Sequence, residues 1–158
     1  LNTLAGWIAS GAPLENLEIL APYPLAVASV YLATTLADIE GDRANGMKTS
    51  GVMLGARRGT VLAAGLMVAA VMAATVTGNR PAFYASLLSL PLFLIPARAA
   101  KREVGAAAVL LPAKGATLIF SVMAGFLFPL YIPTLVAVIL LTRIYYRRRF
   151  AMAYPSLG

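Results

Sequence analysis

The chain has 158 residues, of which 60% are hydrophobic and only 12% are charged; soluble domains carry about 25% charged residues, so this composition indicates an integral membrane protein. It contains no cysteine and no histidine, which excludes disulfides, thiolate chemistry, imidazole bases and Cys/His zinc sites and leaves carboxylates as the strong metal ligands. The net charge of +7 is attributed to membrane topology rather than to nucleic-acid binding, because the basic residues lie between apolar runs.

A membrane-spanning helix needs about 20 mostly apolar residues, and the sequence predicts an all-α bundle of about five to six such helices in one transmembrane domain, residues 1 to 158. The first apolar run, residues 1 to 10, has the sequence of a helix end. We therefore expect a C-terminal part of a longer bundle whose N-terminal helices are absent. The later runs cover residues 22–38, 60–78, 82–97 and 116–142.

Prolines and charges between these runs predict where the helices end. Pro91 and Pro96 predict a kink and an early end of the helix over 82–97. The segment that follows, RAAKREVGAAAVLLPAKG at 98–115, is predicted to be a basic loop.

The last apolar run, 116–142, crosses the membrane either once or twice. If it crosses twice, twelve of the thirteen basic residues lie on one face and only Arg80 lies opposite. Because basic loops stay in the cytoplasm, this asymmetry favours a break near Pro129 and Pro133. The loop around residues 38–55 and the C terminus are then predicted to be cytoplasmic.

The stretch DIEGDRANGMKTSGVMLG, residues 38–55, is polar and follows an apolar run. Asp38 and Asp42 are four residues apart, so on a helix they share one face. Two carboxylates on one face suit Mg²⁺, which completes its octahedron with waters and phosphate oxygens. Arg43 and Lys48 add positive charge beside them. A solvated helix end with mixed charge is the alternative interpretation, and spacing alone leaves both open.

The longer string resembles the second aspartate-rich motif of the UbiA superfamily of intramembrane prenyltransferases, whose usual form is D-x-x-G-D-R-x-x-G-x-x-T followed by Leu-Gly. The resemblance extends over nearly the whole chain, as the C-terminal half of such an enzyme. The motif positions that match are Asp38, Gly41, Asp42, Arg43, Gly46, Lys48, Thr49, Leu54 and Gly55.

The resemblance implies a UbiA-like helical bundle in which Mg²⁺ holds an isoprenyl diphosphate, and an aromatic or other lipophilic acceptor receives the isoprenyl group. Asp38 and Asp42 become the metal-binding and catalytic residues, and Arg43 and Lys48 contact the diphosphate. Thr49 is expected to shape the loop.

Two departures from the family pattern stand out. Tyr31 and Thr35 occupy the face on which many family members carry a further acidic residue, and we assign them to the prenyl channel. The first aspartate-rich motif, N-D-x-x-D, is missing from the sequence, so an upstream segment or a second chain is expected to supply it.

Two other classes of protein share features with this sequence. CDP-alcohol phosphatidyltransferases also use membrane aspartates and a metal, but the D-G-x-x-A-R stretch that they require is missing from the sequence. A non-catalytic helical membrane subunit that retains the loop within a larger complex is the alternative that stays open.

Overall fold

The computed structural model describes residues 8, 11, 13–99 and 106–150, and all regular secondary structure in these residues is helical. This confirms the predicted all-helical class. Of the first predicted run, 1 to 10, only Ile8 is described. A 3₁₀ helix at Leu14–Leu20 precedes the α-helices, which are α1 Pro22–Ala37, α2 Ile39–Ala44, α3 Ser50–Val76, α4 Arg80–Ala99, α5 Ala106–Leu127 and α6 Tyr131–Phe150.

The described residues include four helices that are long and apolar enough to cross a membrane, which is consistent with an integral membrane protein. This is fewer than the five to six that the sequence predicts. The helix α6 is not among them, because arginines interrupt its apolar stretch after residue 142. The four stretches are Glu15–Ala37, Ser50–Val76, Arg80–Arg98 and Leu110–Leu127.

The prolines of α4 do not end that helix, so the predicted early end is wrong. The helix continues through Pro91 and Pro96 to Ala99. Proline removes a single backbone donor, and helices packed together in a membrane bundle tolerate that loss. Pro96 is buried in the packed unit.

The predicted basic loop at 98–115 is also partly wrong, because α5 already begins at Ala106. The segment AAAVLLPAKGA that begins there is rich in alanine and leucine, both strong helix formers. Its Pro112 lies inside the helix. The predicted break in 116–142 is confirmed: α5 ends at Leu127 and α6 begins at Tyr131.

The described residues up to Phe120 form one compact unit, in which α1 and α3 run antiparallel. The contacts between them fix this direction: Thr35 lies against Gly51, and the Ser29 hydroxyl donates to the Ala63 carbonyl oxygen at 2.7 Å. The core that they form with α4 and α5 consists mainly of small side chains, with Met67 and Phe93 as its largest buried members. Small residues let helix backbones approach closely in lipid, so van der Waals packing replaces the hydrophobic effect as the stabilising contribution.

Asn79 fixes the end of this unit opposite the polar loop. Its side-chain oxygen accepts the backbone N–H of Ala82 at 3.0 Å, which caps the first turn of α4. Its amide nitrogen donates to the Ile19 carbonyl oxygen at 2.9 Å. One buried side chain therefore joins the 3₁₀ helix to the α3–α4 turn.

The described residues from Ser121 to Phe150 form a second unit. Within it, Gly125 lies directly against the Ile132 side chain, so the turn between α5 and α6 is tightly packed. The backbone N–H of Tyr131 donates to the Phe128 carbonyl oxygen at 2.8 Å. Pro133 lies in the first turn of α6, where a helix has no partner for a backbone N–H.

Candidate functional site

The polar stretch begins where α1 ends, at Asp38. The backbone of Asp38 has φ −100° and ψ 7°, which interrupts the helix and separates α1 from the short α2. The N–H of Asp42 still donates to the Asp38 carbonyl oxygen at 2.8 Å. The two aspartates are thus one helical turn apart, and the sequence predicted this adjacency.

A tight turn after α2 reverses the chain. Gly46 has φ +68°, a conformation that side chains other than glycine rarely adopt. The N–H of Met47 then donates back to the Asp42 carbonyl oxygen at 2.8 Å. The turn therefore explains why the motif has a glycine at this position.

Thr49 connects the turn to both flanking helices. Its hydroxyl donates to Oδ2 of Asp42 at 2.8 Å and accepts the backbone N–H of Val52 at 3.4 Å, so it is the N-cap of α3. One oxygen of the Asp42 carboxylate is therefore held in place by the loop itself, and Oδ1 has no protein hydrogen bond among the described residues. The sequence predicted that Thr49 shapes the loop, but not that it holds Asp42.

The structure explains why two further positions of the stretch are glycines. A Cβ at Gly51 would overlap the backbone carbonyl of Thr35, so only glycine lets α3 lie this close to α1. Gly55 has φ 71° and ψ 163°, a region restricted to glycine, and it interrupts α3 between the loop turn and the long apolar part. Leu54, just before it, packs against the hydrophobic core. This contact attaches the C-terminal end of the polar stretch to the helix bundle.

The charged side chains of the stretch point away from the bundle. Asp38, Arg43 and Lys48 are exposed, and Asp42 is half-buried. Within the described part of the chain, the side chains of Asp38, Arg43 and Lys48 make no hydrogen bond or salt bridge. The loop therefore carries three exposed charges that no side chain in the described part of the protein neutralises.

More basic side chains lie at the same end of the unit. Arg57 and Arg58 are exposed just beyond Gly55, and Arg98 is exposed near the end of α4, which returns toward this end. Arg80 is at the opposite end, where α4 begins. A multiply charged anion beside Asp38 and Asp42 would therefore lie in the positive electrostatic potential of the arginines at this end of the unit.

Asp38 and Asp42 are the residue type that Mg²⁺ takes from proteins. No group of three or more acidic side chains gathers within the described ranges. Mg²⁺ does not need one, since one or two carboxylates with waters and substrate phosphates suffice. Glu40 is exposed and lies between the two aspartates in sequence.

Tyr31 and Thr35, the predicted channel residues, lie in different surroundings. Tyr31 is 61% exposed on the outside of α1, whereas Thr35 is 9% exposed and its hydroxyl donates to the Leu32 carbonyl oxygen at 2.9 Å. Both residues belong to α1, and Asp38 directly follows the last residue of that helix, Ala37.

An apolar cleft lies between the helices near the polar loop. It has room for about one water molecule, and neither Tyr31 nor Thr35 lines it. Its walls are Ala33, Leu36, Thr60, Ala63, Phe93, Pro96 and Pro112.

Comparisons with models of known protein families, with curated protein sequences and with solved protein structures found no match.

Proposed function

We propose that this chain is part of an intramembrane prenyltransferase of the UbiA type, and that residues 38–55 bind a Mg²⁺-complexed isoprenyl diphosphate. The observation that carries the proposal is the arrangement of Asp38 and Asp42. They stand one turn apart, at the end of an apolar helix, next to the unpaired cations Arg43 and Lys48. Ionisable residues inside a membrane segment are costly and mark functional sites, and these two aspartates follow the end of such a segment, where the cost is smaller.

Each side chain of the site has a distinct role in this proposal. Asp38 and the free Oδ1 of Asp42 would hold the metal, and Thr49 fixes the direction of the Asp42 carboxylate. Arg43 and Lys48 would contact diphosphate oxygens through charge-assisted hydrogen bonds. Mg²⁺, when bound, would supply neutralisation of the diphosphate charge.

The proposed reaction transfers the isoprenyl group to a lipophilic acceptor. The allylic C–O bond breaks and its electron pair leaves on the diphosphate oxygen; the acceptor forms the new bond to the allylic carbon and loses a proton. The basic side chains around the loop lower the barrier by stabilising charge that develops on the leaving group. In the complete enzyme, a dry cavity within the membrane bundle would keep water from competing with the acceptor.

The proposed site needs groups from outside these 158 residues. The sequence has only two aspartates, Asp38 and Asp42, so it has no second aspartate pair for a two-motif metal site. We propose that an upstream segment or a second chain supplies that pair. The basic residues around the loop place it on the cytoplasmic face in this proposal.

A second candidate function is a non-catalytic membrane subunit. The bond between Thr49 and Asp42 favours it, because that bond gives Asp42 a role in holding the loop that needs no ligand. The two candidates differ in what they predict for Asp38, which has no structural partner among the described residues.

The experiment that tests the proposal is prenyl transfer in membranes that contain the complete gene product. Asp38→Asn and Asp42→Asn should each reduce Mg²⁺-dependent transfer by at least about 100-fold, comparable to the loss of a key electrostatic group. Glu40→Gln is the matched control, because it removes the same charge from an exposed position on the same short helix. Full activity in both aspartate variants would reject the site.

A further inference from the structure

The end of α6 concentrates positive charge and aromatic rings. Arg143, Arg147, Arg148 and Arg149 fall within its last eight residues and all four are exposed. No acidic residue follows Glu103 in the sequence. The helix end therefore carries four positive charges and no acidic side chain of its own.

The helix leads into this surface through an apolar stretch that is too short to cross a bilayer. Residues 131–142 carry no charge, and twelve helical residues span about 18 Å, whereas the hydrocarbon core is about 30 Å thick. Four guanidinium groups cannot remain in hydrocarbon. The end of α6 must therefore lie where lipid headgroups or water can reach it.

The arginines surround the helix instead of lining one side. At about 100° per residue, positions 147, 148 and 149 point in successive directions that together cover much of the circumference. A helix that lies flat on a membrane keeps its basic residues on one face. The distribution in α6 instead fits a helix whose end is ringed by headgroups.

Aromatic rings fill the positions between the arginines. Tyr145 and Tyr146 have ring centroids 5.6 Å apart, and each contacts Phe150, at 6.1 Å and 5.6 Å. Tyrosine rings prefer the membrane–water interface, where the ring body is in apolar surroundings and the hydroxyl is hydrated. The cluster thus marks the same depth as the arginines.

We propose that residues 143–150 form a collar that binds the headgroups of anionic phospholipids in the surrounding bilayer. Arginine pairs with phosphate through two parallel N–H···O bonds, and a basic segment beside a membrane helix attracts anionic lipid. We infer anionic phospholipid as the ligand because its headgroup charge is opposite to that of the arginines and because the aromatic rings prefer the membrane–water interface. The collar does not depend on the prenyltransferase proposal.

The test uses the full chain reconstituted in phosphatidylcholine bilayers that contain trace spin-labelled phosphatidylglycerol or spin-labelled phosphatidylcholine. The wild-type protein should immobilise the anionic label several-fold more strongly than the neutral one, and this ratio should fall as salt is raised. The triple variant R147Q/R148Q/R149Q should bring the ratio close to one. The triple variant R147K/R148K/R149K should keep most of it, which also shows that the helix end tolerates substitution.

The matched control is R57Q/R58Q/R98Q, which removes the same three charges from exposed positions of the other unit. It should leave most of the preference intact. An equal loss in both glutamine variants would mean that only net charge selects the lipid, and would overturn the collar. A wild-type protein with no preference for the anionic label would also overturn the collar. The same holds if the wild-type protein shows no lipid preference but retains a single-stranded oligonucleotide in neutral bilayers.

Discussion

Asp42 and Thr49 show how single residues determine the geometry of the polar loop. The Thr49 hydroxyl holds one oxygen of Asp42 and at the same time caps α3. Asp38, by contrast, has no partner among the described residues. The two aspartates therefore differ in their surroundings: the carboxylate of Asp42 is held by the loop, and that of Asp38 is not.

Thr49→Val should loosen the loop, because it removes the cap of α3 and the bond to Asp42 together. Loss of a threonine N-cap costs about 1 kcal/mol, so the midpoint of thermal unfolding in detergent should fall by a few degrees. Thr49→Ser keeps the hydroxyl and is the matched control. An unchanged midpoint in Thr49→Val would show that the cap contributes nothing to stability.

The adjacency of Asp38 and Asp42 could be predicted from the sequence, because it depends only on the local repeat of a helix. The bond from Thr49 to Asp42 could not, because it depends on the turn at Gly46 that brings residue 49 back toward α2. A threonine directly before a helix is nevertheless a known capping signal. That signal predicts the cap but not its second partner.

At the level of helices, the close contact between α1 and α3 positions the loop. Gly51 lies against the Thr35 backbone, and Gly59 lies against the Leu36 side chain. The apolar runs predicted these helices, because length and hydrophobicity alone select membrane spans. The predicted early end of α4 was wrong, because the helix continues through its two prolines. Neighbouring helices in a membrane bundle offset the backbone hydrogen bonds lost at a proline, and the sequence alone does not show those neighbours.

Gly51→Ala should separate α1 from α3 at the loop, because the new methyl group would overlap a backbone carbonyl that cannot rotate away. Overpacking of this kind costs about 1–3 kcal/mol, measurable as a lower midpoint of denaturant unfolding in mixed micelles. Gly41→Ala is the matched control, since a Cβ there meets nothing within 4 Å. Equal stability of the two variants would contradict the packing described here.

Over the whole molecule, the antiparallel arrangement of α1, α3 and α4 puts the polar loop and the α3–α4 turn at opposite ends of the first unit. Charge follows the same division, with Arg80 opposite the loop and Arg57, Arg58 and Arg98 on its side. The positive-inside bias therefore assigns the loop to the cytoplasm in our proposal.

This orientation can be tested directly because the chain has no cysteine. In sealed vesicles of known orientation, Glu40→Cys should react with a membrane-impermeant thiol reagent only when the cytoplasmic face is outside. Arg80→Cys should react only in the opposite orientation, and it is the matched control because it too is exposed at the end of a helix. Labelling of both from one side would contradict the antiparallel topology.

Equilibrium binding of a non-hydrolysable isoprenyl diphosphate analogue to the complete gene product measures whether Asp38 and Asp42 hold a metal-complexed diphosphate, as we propose. We expect binding that requires Mg²⁺ and is lost with a chelator. Asp38→Asn and Asp42→Asn should each weaken this binding at least about tenfold, a loss of about 1.4 kcal/mol, while Glu40→Gln should not. Binding without Mg²⁺, or the same affinity in all three variants, would show that the two aspartates do not hold the diphosphate.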